Sequence, residues 1–326
     1  MRIIVTGGGG FIGSHIVEHH LAKGDQVLVV DDLSSGSSQN IALFKANPAF
    51  RFAKANINNW SNLQKVVSWA QRIYHFAAIV GVYRVLAEPI NVFNTNILGC
   101  EKILRAASIE LPPPQIIIAS SSSVYGHSDK SAILGLEEND DLIIKAVGNP
   151  LRNYGLSKII SEEFATMYYA NFNIPILIVR IFNTIGPRQT GAYGMVVPRF
   201  VAQACTGQPI TIFGDGTQTR SFCDVRDTVE DLTYLADNPQ TTGEIINIGN
   251  DNEIAINDLA DLIVKLAQSS STIKHIHYKE AYGIEFTDIS QRKPNLTKLR
   301  SFNNFKYKWT LAQTVDDLIS RFRKII

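Results

Sequence analysis

Residues 6–13 read Thr6-Gly7-Gly8-Gly9-Gly10-Phe11-Ile12-Gly13, four consecutive glycines with a fifth three residues later. Ahead of them, Arg2 to Thr6 is an apolar run of strand length. Behind them, Phe11 to Lys23 has helical periodicity that stops at Gly24, and Gln26 to Val30 is strand-like again. This is one βαβ unit with a glycine turn at its first corner. Gly7, Gly10 and Gly13 fall at G-x-x-G-x-x-G spacing. Glycine permits a tight turn and lets backbone N–H groups approach a pyrophosphate, while the following helix points its positive end at the anion.

Asp31 ends the second strand, where a carboxylate can bind ribose hydroxyls. Asp31 and the adjacent Asp32 would repel a 2′-phosphate, and residues 31–40 contain no Arg to accommodate one. The expected dinucleotide is therefore NAD rather than NADP.

The alternation continues with a short strand at Phe50 to Ala53, a helical stretch at Asn59 to Ala70, a strand at Arg72 to Phe76, and a helix that starts near Pro89 and is ended by Pro112 to Pro114. Gln115 to Ala119 is a continuous apolar run, as expected of a parallel strand covered on both faces. Asn153 to Ala170 has the length and periodicity of a long helix, and Ile176 to Arg180 is a further strand. The fold expected is α/β, a doubly wound parallel sheet of the Rossmann type. Beyond Asn183, Gly186, Pro187, Gly191, Gly194, Pro198, Gly214 and Gly216 crowd irregular stretches, which reads as a smaller mixed α/β lobe. The expected division is a dinucleotide-binding domain over 1–182, to which the chain returns in part later, and a lobe made mainly of 183–326.

Composition sets the outer limits. The chain has 326 residues, 45% hydrophobic and 19% charged, enough for a sizeable core. A net charge of +1 gives no global field to hold nucleic acid. No apolar run reaches the roughly 18 residues of a membrane span, and the first strand starting at Arg2 leaves no room for a secretory signal, so a cytoplasmic location is expected. Cys100, Cys205 and Cys223 are too few and too scattered for a disulfide framework or a zinc site, and no metal is expected. The Lys306-Tyr307-Lys308-Trp309 segment lacks a wider basic field and reads as a packed C-terminal edge.

In order, Thr6 to Gly13, His75-Phe76-Ala77-Ala78, Ser120 to Gly126, Tyr154-Gly155-Leu156-Ser157-Lys158, Arg180-Ile181-Phe182-Asn183, Gly186-Pro187-Arg188-Gln189 and Phe213 to Arg220 resemble, nearly end to end, the extended short-chain dehydrogenase/reductase family. The likeness is to its nucleotide-sugar epimerases, decarboxylases and dehydratases. It implies bound NAD, held by Gly7, Gly10, Phe11, Ile12, Gly13, Asp31, Asn56, Ile57, Ala77, Ala78, Asn96, Tyr154 and Lys158. It also implies a nucleotide-sugar substrate, expected to carry UDP, near Ser122, Ser123, Asn183, Val197, Phe213, Arg220 and Arg292. Asn183, Arg220 and Arg292 would contact the diphosphate or its surroundings, and Phe213 would lie near the base. The family's usual dimer pairs the helices near 90–109 and 153–170, so a homodimer is expected.

Tyr154 and Lys158 stand four apart on the long helix, so both project from one face. A tyrosine with a pKa near 10 is a poor base at neutral pH, and bringing it there takes about 4 kcal/mol of preferential stabilisation of the phenolate. A neighbouring ammonium can supply part of that. By resemblance Tyr154 is the base, Lys158 also binds the nicotinamide ribose, and Ser121, four residues before Tyr125, holds the reacting oxygen. His75, at a strand end, is expected to pack rather than to carry protons.

All branches of the resemblance begin by oxidising C4 of the sugar. Dehydratases then need an acid and a base just after the catalytic serine, where this chain has Ser122 and Ser123, and a hydroxyl is no substitute for a carboxylate base. Decarboxylases of UDP-glucuronate usually carry Glu at the Ser123 position and acidic residues where this chain has Gly155-Leu156-Ser157. The reading is therefore a 4-epimerase, an isomerase using tightly bound NAD. The alternatives are a UDP-glucuronate decarboxylase, a non-catalytic NAD-binding module and a simple oxidoreductase. Two departures stand out: Asn56 where relatives carry Asp to bind the adenine amine, and Tyr83-Arg84 in place of a Lys-containing pair near the sugar pocket.

Overall fold

The computed structural model describes residues 1–126, 134–144, 152–191, 194–283, 288–303 and 306–324. β1 (Arg2–Thr6) enters the glycine turn and α1 (Phe11–Ala22) leaves it. Gly24, at φ +81°, closes that helix, and β2 (Gln26–Asp31) returns beside β1. Next come α2 (Ser38–Ala42), β3 (Phe50–Lys54), α3 (Leu63–Trp69) and β4 (Arg72–His75).

A short helix not expected from the sequence, α4 (Val82–Ala87), comes first, and the helix expected from Pro89 then runs on as α5 (Pro89–Phe93), a π-helical turn at Asn94–Leu98 and α6 (Gly99–Ser108). Glu88, at φ −130° and ψ 50°, is held off the helical region because a proline follows it, so the chain breaks there and restarts with Pro89 at the first helical position. β5 (Gln115–Ser121) then runs into a 3₁₀ turn at Ser122–Tyr125, followed by the 21-residue α7 (Arg152–Phe172) and by β6 (Ile176–Ile181).

The second half contains β7 (Thr184–Ile185), α8 (Val196–Cys205), β8 (Ile210–Phe213), β9 (Thr219–Ser221), β10 (Cys223–Asp224), α9 (Val225–Asp237), β11 (Ile245–Ile248), β12 (Glu253–Ala255), α10 (Ile256–Leu266), β13 (Ile273–Ile276), α11 (Tyr278–Tyr282), β14 (Gln291–Arg292), α12 (Thr297–Phe302) and α13 (Leu311–Arg323).

Seven strands form one sheet in the order β11-β6-β5-β4-β1-β2-β3, every neighbouring pair parallel. The Rossmann-type α/β fold read from the sequence is the fold observed. Alternation along each strand sorts the core onto two faces. Ile3, Val5, Val27, Val29, Leu177 and Val179 face one way and pack with Ile16 of α1 and Leu232 of α9. Ile4, Ile73, Ile116, Ile118, Ile176 and Ile178 face the other and pack with Val67 of α3, Ile103 of α6 and Ala165 of α7. The strand order reverses beside β1, with β2 on one side and β4 on the other. A crevice opens there at the carboxyl ends of the strands, the usual place for a ligand in such sheets.

The C-terminal half completes this sheet through β11 and lays α9 against α1. The rest of it surrounds a third core, in which Phe200 of α8, Ile212 of β8, Leu259 of α10 and Val315 of α13 meet. At its edge, Asp227 accepts the backbone N–H groups of Lys308 and Trp309, and the Arg226 guanidinium lies 3.2 Å from the centre of the Trp309 ring. Among the described residues no helix is long and apolar enough to cross a membrane.

Candidate active site

A cavity of about 1520 Å³ runs from the glycine turn across the carboxyl ends of the strands to the second lobe. Its floor is made of backbone. Gly7 sits at φ +73°, and a Cβ there would lie 2.7 Å from Ala77 N. A Cβ on Gly13 would lie 2.2 Å from Gly7 O. Only glycine lets β1, α1 and the segment after β4 meet this closely. The first N–H groups of α1, from Phe11, Ile12 and Gly13, have no intrahelical partner and open on the cavity, which suits the pyrophosphate of a dinucleotide.

Asp31 closes the other end of this cradle. One of its carboxylate oxygens accepts the Gly9 N–H at 2.9 Å and the other accepts the Leu33 N–H at 2.8 Å. Two accepted bonds leave lone pairs for a ribose. Burial pushes its carboxyl above the usual range, against the pull of those two N–H groups. Asn56, Ile57, Ala77 and Ala78 also line the cavity. Asn56 is already engaged: its amide donates to Asp32 at 2.9 Å and its oxygen accepts the Asn58 N–H at 2.9 Å.

Asn96 is where the structure departs from the expected cofactor set. It is 2% exposed, does not line the cavity, and spends its amide on Ile79 N, Ile79 O and Ser157 Oγ. It sits in the π-helical turn, where the extra residue per turn directs it toward the loop it braces. His75 is buried, its Nδ1 2.9 Å from Thr6 Oγ1, and burial lowers its pKa to about 3.

Ser121, Tyr154 and Lys158 all line the cavity, beside Ser122 and Ser123. Ser121 Oγ caps the 3₁₀ turn by accepting the Ser123 N–H at 3.2 Å and is hydrogen-bonded to the Tyr154 hydroxyl. Burial raises the Tyr154 pKa, while the Ser121 hydrogen bond and the positive charge of Arg292 lower it. Lys158 stands on the same face of α7 as Tyr154. Its Nζ donates to Ala119 O at 2.8 Å and stands 6.0 Å from the Tyr154 ring centre, and burial brings its pKa down to about 8. Gly155 explains how α7 docks here, since a Cβ on it would lie 2.5 Å from Ser123 O.

The opposite wall comes from the second lobe. Arg220 on β9 and Arg292 on β14 are register partners and both line the cavity. Arg220 pairs with Asp288 at 2.8 Å, and the Tyr278 hydroxyl donates to the same carboxylate oxygen at 3.3 Å. Burial, then the charge of Arg220, lowers the Arg292 pKa to about 10. Asn183 lines the cavity with its amide on Ser221 O at 3.3 Å, and Phe213 lines the lobe end. Val197 is fully buried, at the boundary between the cavity and the lobe core.

Residues 3–249 match the model of the NAD dependent epimerase/dehydratase family. The chain belongs to this family. A UDP-N-acetyl-alpha-D-glucosaminuronate decarboxylase of Bacillus cytotoxicus is 35% identical over 325 residues, 99% of this chain and 98% of that protein. UDP-glucuronic acid decarboxylase 1 of Arabidopsis thaliana is 31% identical over 333 residues, 100% of this chain and 71% of that one. Among solved structures, the UDP-glucuronic acid 4-epimerase of Bacillus cereus, in complex with UDP-glucuronic acid and NAD, superposes with a TM-score of 0.89 at 28% identity over all of both chains. This chain is thus an NAD-dependent enzyme of the epimerase/dehydratase family, and the cradle fits that cofactor because close packing of its glycines brings the first N–H groups of α1 and the Asp31 carboxylate to one cavity.

Behind the reacting face of this epimerase/dehydratase site lies a buried polar network that the motif reading missed. The Arg180 guanidinium forks onto Glu162 at 3.0 and 2.8 Å, and Ser120 Oγ donates to the same carboxylate. Arg180 Nη1 also donates to the Tyr125 hydroxyl at 3.1 Å, which donates to Asn247 Oδ1 at 2.7 Å. Asn247 in turn donates to Leu136 O, and Leu136 N to Lys293 O. The network ties β5, α7, β6 and β11 to the segment beside Arg292. The available signal was the charged Arg180 inside an apolar strand and Glu162 one turn beyond Lys158.

Proposed function

We propose that this chain inverts C4 of a UDP-sugar through a transient 4-keto intermediate, on a substrate that is a hexuronate or N-acetylhexosaminuronate. One observation carries the reading: the Ser121–Tyr154 pair shares a cavity with the glycine cradle, and among the described residues no carboxylate lines the cavity beside it. Among the described cavity-lining residues the acids are Asp31 and Asp32 at the cradle and Asp288, which is held by Arg220 and Tyr278. Bound NAD supplies a hydride acceptor that can also return the hydride.

The protein's part is proton transfer and orientation. Ser121 holds the C4 oxygen, and Tyr154 takes the hydroxyl proton as C4 becomes a ketone. Ser121 and Arg292 offset part of what burial costs the phenolate. Net redox is zero once C4 has regained its hydride and Tyr154 has returned the proton to the C4 oxygen. Inversion requires the sugar to present its other face, so binding energy belongs on the diphosphate and base, where Arg220 and Arg292 stand, rather than on the ring.

A second reading is favoured by the two decarboxylase relatives. A 4-keto hexuronate is a β-keto acid, so the same intermediate can lose CO₂. Against this, Gly155 has no room for a side chain, because a Cβ there would lie 2.5 Å from Ser123 O, and Ser123 itself stands where that branch usually carries Glu. The proposal includes a homodimer on the α6–α7 side, which exposes Leu98, Met167 and Phe172 and is tested by molecular mass in solution. The deciding experiment incubates the enzyme with catalytic NAD and UDP-glucuronate, UDP-N-acetylglucosaminuronate or UDP-glucose. An isomer of unchanged mass supports epimerisation. Loss of CO₂ supports the second reading, and no conversion by NAD-loaded protein leaves only a binding module.

A further inference from the structure

We infer that Arg199 reads the nucleobase of the substrate, donating to the carbonyl oxygen at C4 of the pyrimidine and so selecting uracil over cytosine. The inference rests on the nucleotide-sugar reading above and adds the residue that sets its base.

Contacts order the cavity wall from one end to the other. Tyr154 and Arg292 line the same cavity, and the charge of Arg292 acts on the Tyr154 hydroxyl; the neighbour of Arg292 in register is Arg220, which pairs with Asp288, and Asp288 accepts from Tyr278. The Tyr278 and Tyr282 rings stack at 6.3 Å, Tyr282 meets Phe213 edge-on at 5.2 Å, and the Arg199 guanidinium lies 3.9 Å from the Phe213 ring centre. A sugar reacting at Tyr154 with its diphosphate at the arginine pair therefore reaches the aromatic end with its base. Flat rings suit a flat base there.

Arg199 brings a positive charge to that end. Among the described residues it makes no ion pair, and the groups acting on its charge are Tyr282 and Tyr83. Its Nη1 donates to Thr211 O and Thr211 Oγ1, and its Nε is buried with no partner. A guanidinium carries five N–H donors and no acceptor, so what remains for a ligand is donors only. A half-buried cation held without an acid leaves donors for a ligand to satisfy. Uracil offers a carbonyl oxygen where cytosine offers an amino group, which would set donor against donor.

The test is calorimetric titration of NAD-loaded protein with free UDP and CDP, which needs no turnover. Wild type is expected to prefer UDP by about tenfold or more. Arg199→Leu should lose about tenfold in UDP affinity but less than about threefold for CDP. Arg199→Gln, whose amide can donate or accept and so suits either base, should also lose the preference, and it carries the test should the leucine variant fail to fold. Equal weakening for both nucleotides, or a preserved preference, overturns the inference. UDP that binds wild type with its preference intact in both variants breaks only this assignment, whereas a wild type that binds no UDP breaks the nucleotide-sugar reading itself.

Discussion

The cofactor cradle and the nucleotide-sugar wall face each other across one cavity and are built in opposite ways. The cradle is backbone, drawn from the contiguous β1–α1–β2 unit, and its constraint is steric: at Gly7 and Gly13 any Cβ collides with neighbouring main chain. The wall is side chain, with Arg199, Phe213, Arg220, Tyr278 and Arg292 brought from five separate elements, and its constraint is charge. A backbone site tolerates little change and depends on few residue types. A side-chain site can be retuned one residue at a time.

Tyr154 stands where the two meet, and its loss should give the largest effect. Tyr154→Phe is expected to lower kcat by about 10²- to 10⁴-fold, with NAD content and UDP affinity both retained. A variant that also lost NAD would show that the two sides are not separable. Next comes the contrast between the sides themselves. Gly13→Ala should cost about 1–3 kcal/mol of stability and strip the purified protein of NAD, because its Cβ would meet Gly7 O. Arg292→Leu should leave the NAD content unchanged while raising KM for the UDP-sugar about tenfold or more. Melting curves, bound-cofactor absorbance and steady-state kinetics separate the two.

A smaller effect concerns the scaffold under the cradle. Asp231 on α9, the helix against α1, accepts from Asn303 at 2.9 Å through one oxygen while the other has no partner. Burial, then the charge of Asp227, raises its pKa from 3.8 to about 7. Between those values the folded protein holds a proton that the unfolded chain has lost, so this group's contribution to stability falls as pH rises from about 4 to about 7. Asp231→Asn should therefore raise the melting temperature at pH 8 and change little at pH 4. An equal shift at both values would remove titration as the cause. The smallest change is expected from Ser123→Glu, which should slow turnover but leave product identity as it is, since one carboxylate does not remodel the Gly155 contact.

This contrast also explains what could be read from residues alone. The βαβ unit, the glycine turn, Asp31 and the Tyr154–Lys158 pair are local patterns, set by period, spacing and φ requirements, and the sheet follows from them. Lys158 on Ala119 O, Asn96 turned inward by a π-helical turn, and the Arg180–Glu162–Tyr125–Asn247 network depend on which distant segments meet. The helix from Pro89 was legible because a proline suits a first helical position, whereas the π-helical turn inside it left no such mark. Arg199 gave no sequence signal at all. Its meaning comes from the absence of an acid around it, which only the packed structure displays.

Deuterium transfer tests the central claim most directly. A UDP-hexuronate labelled with deuterium at C4 is incubated with the enzyme and catalytic NAD, and the product is followed by mass and by C4 configuration. The account predicts a product of unchanged mass, inverted at C4, that keeps its deuterium there, with no reduced cofactor accumulating. A product lighter by CO₂, or stoichiometric reduced cofactor with the label lost from the sugar, would contradict it.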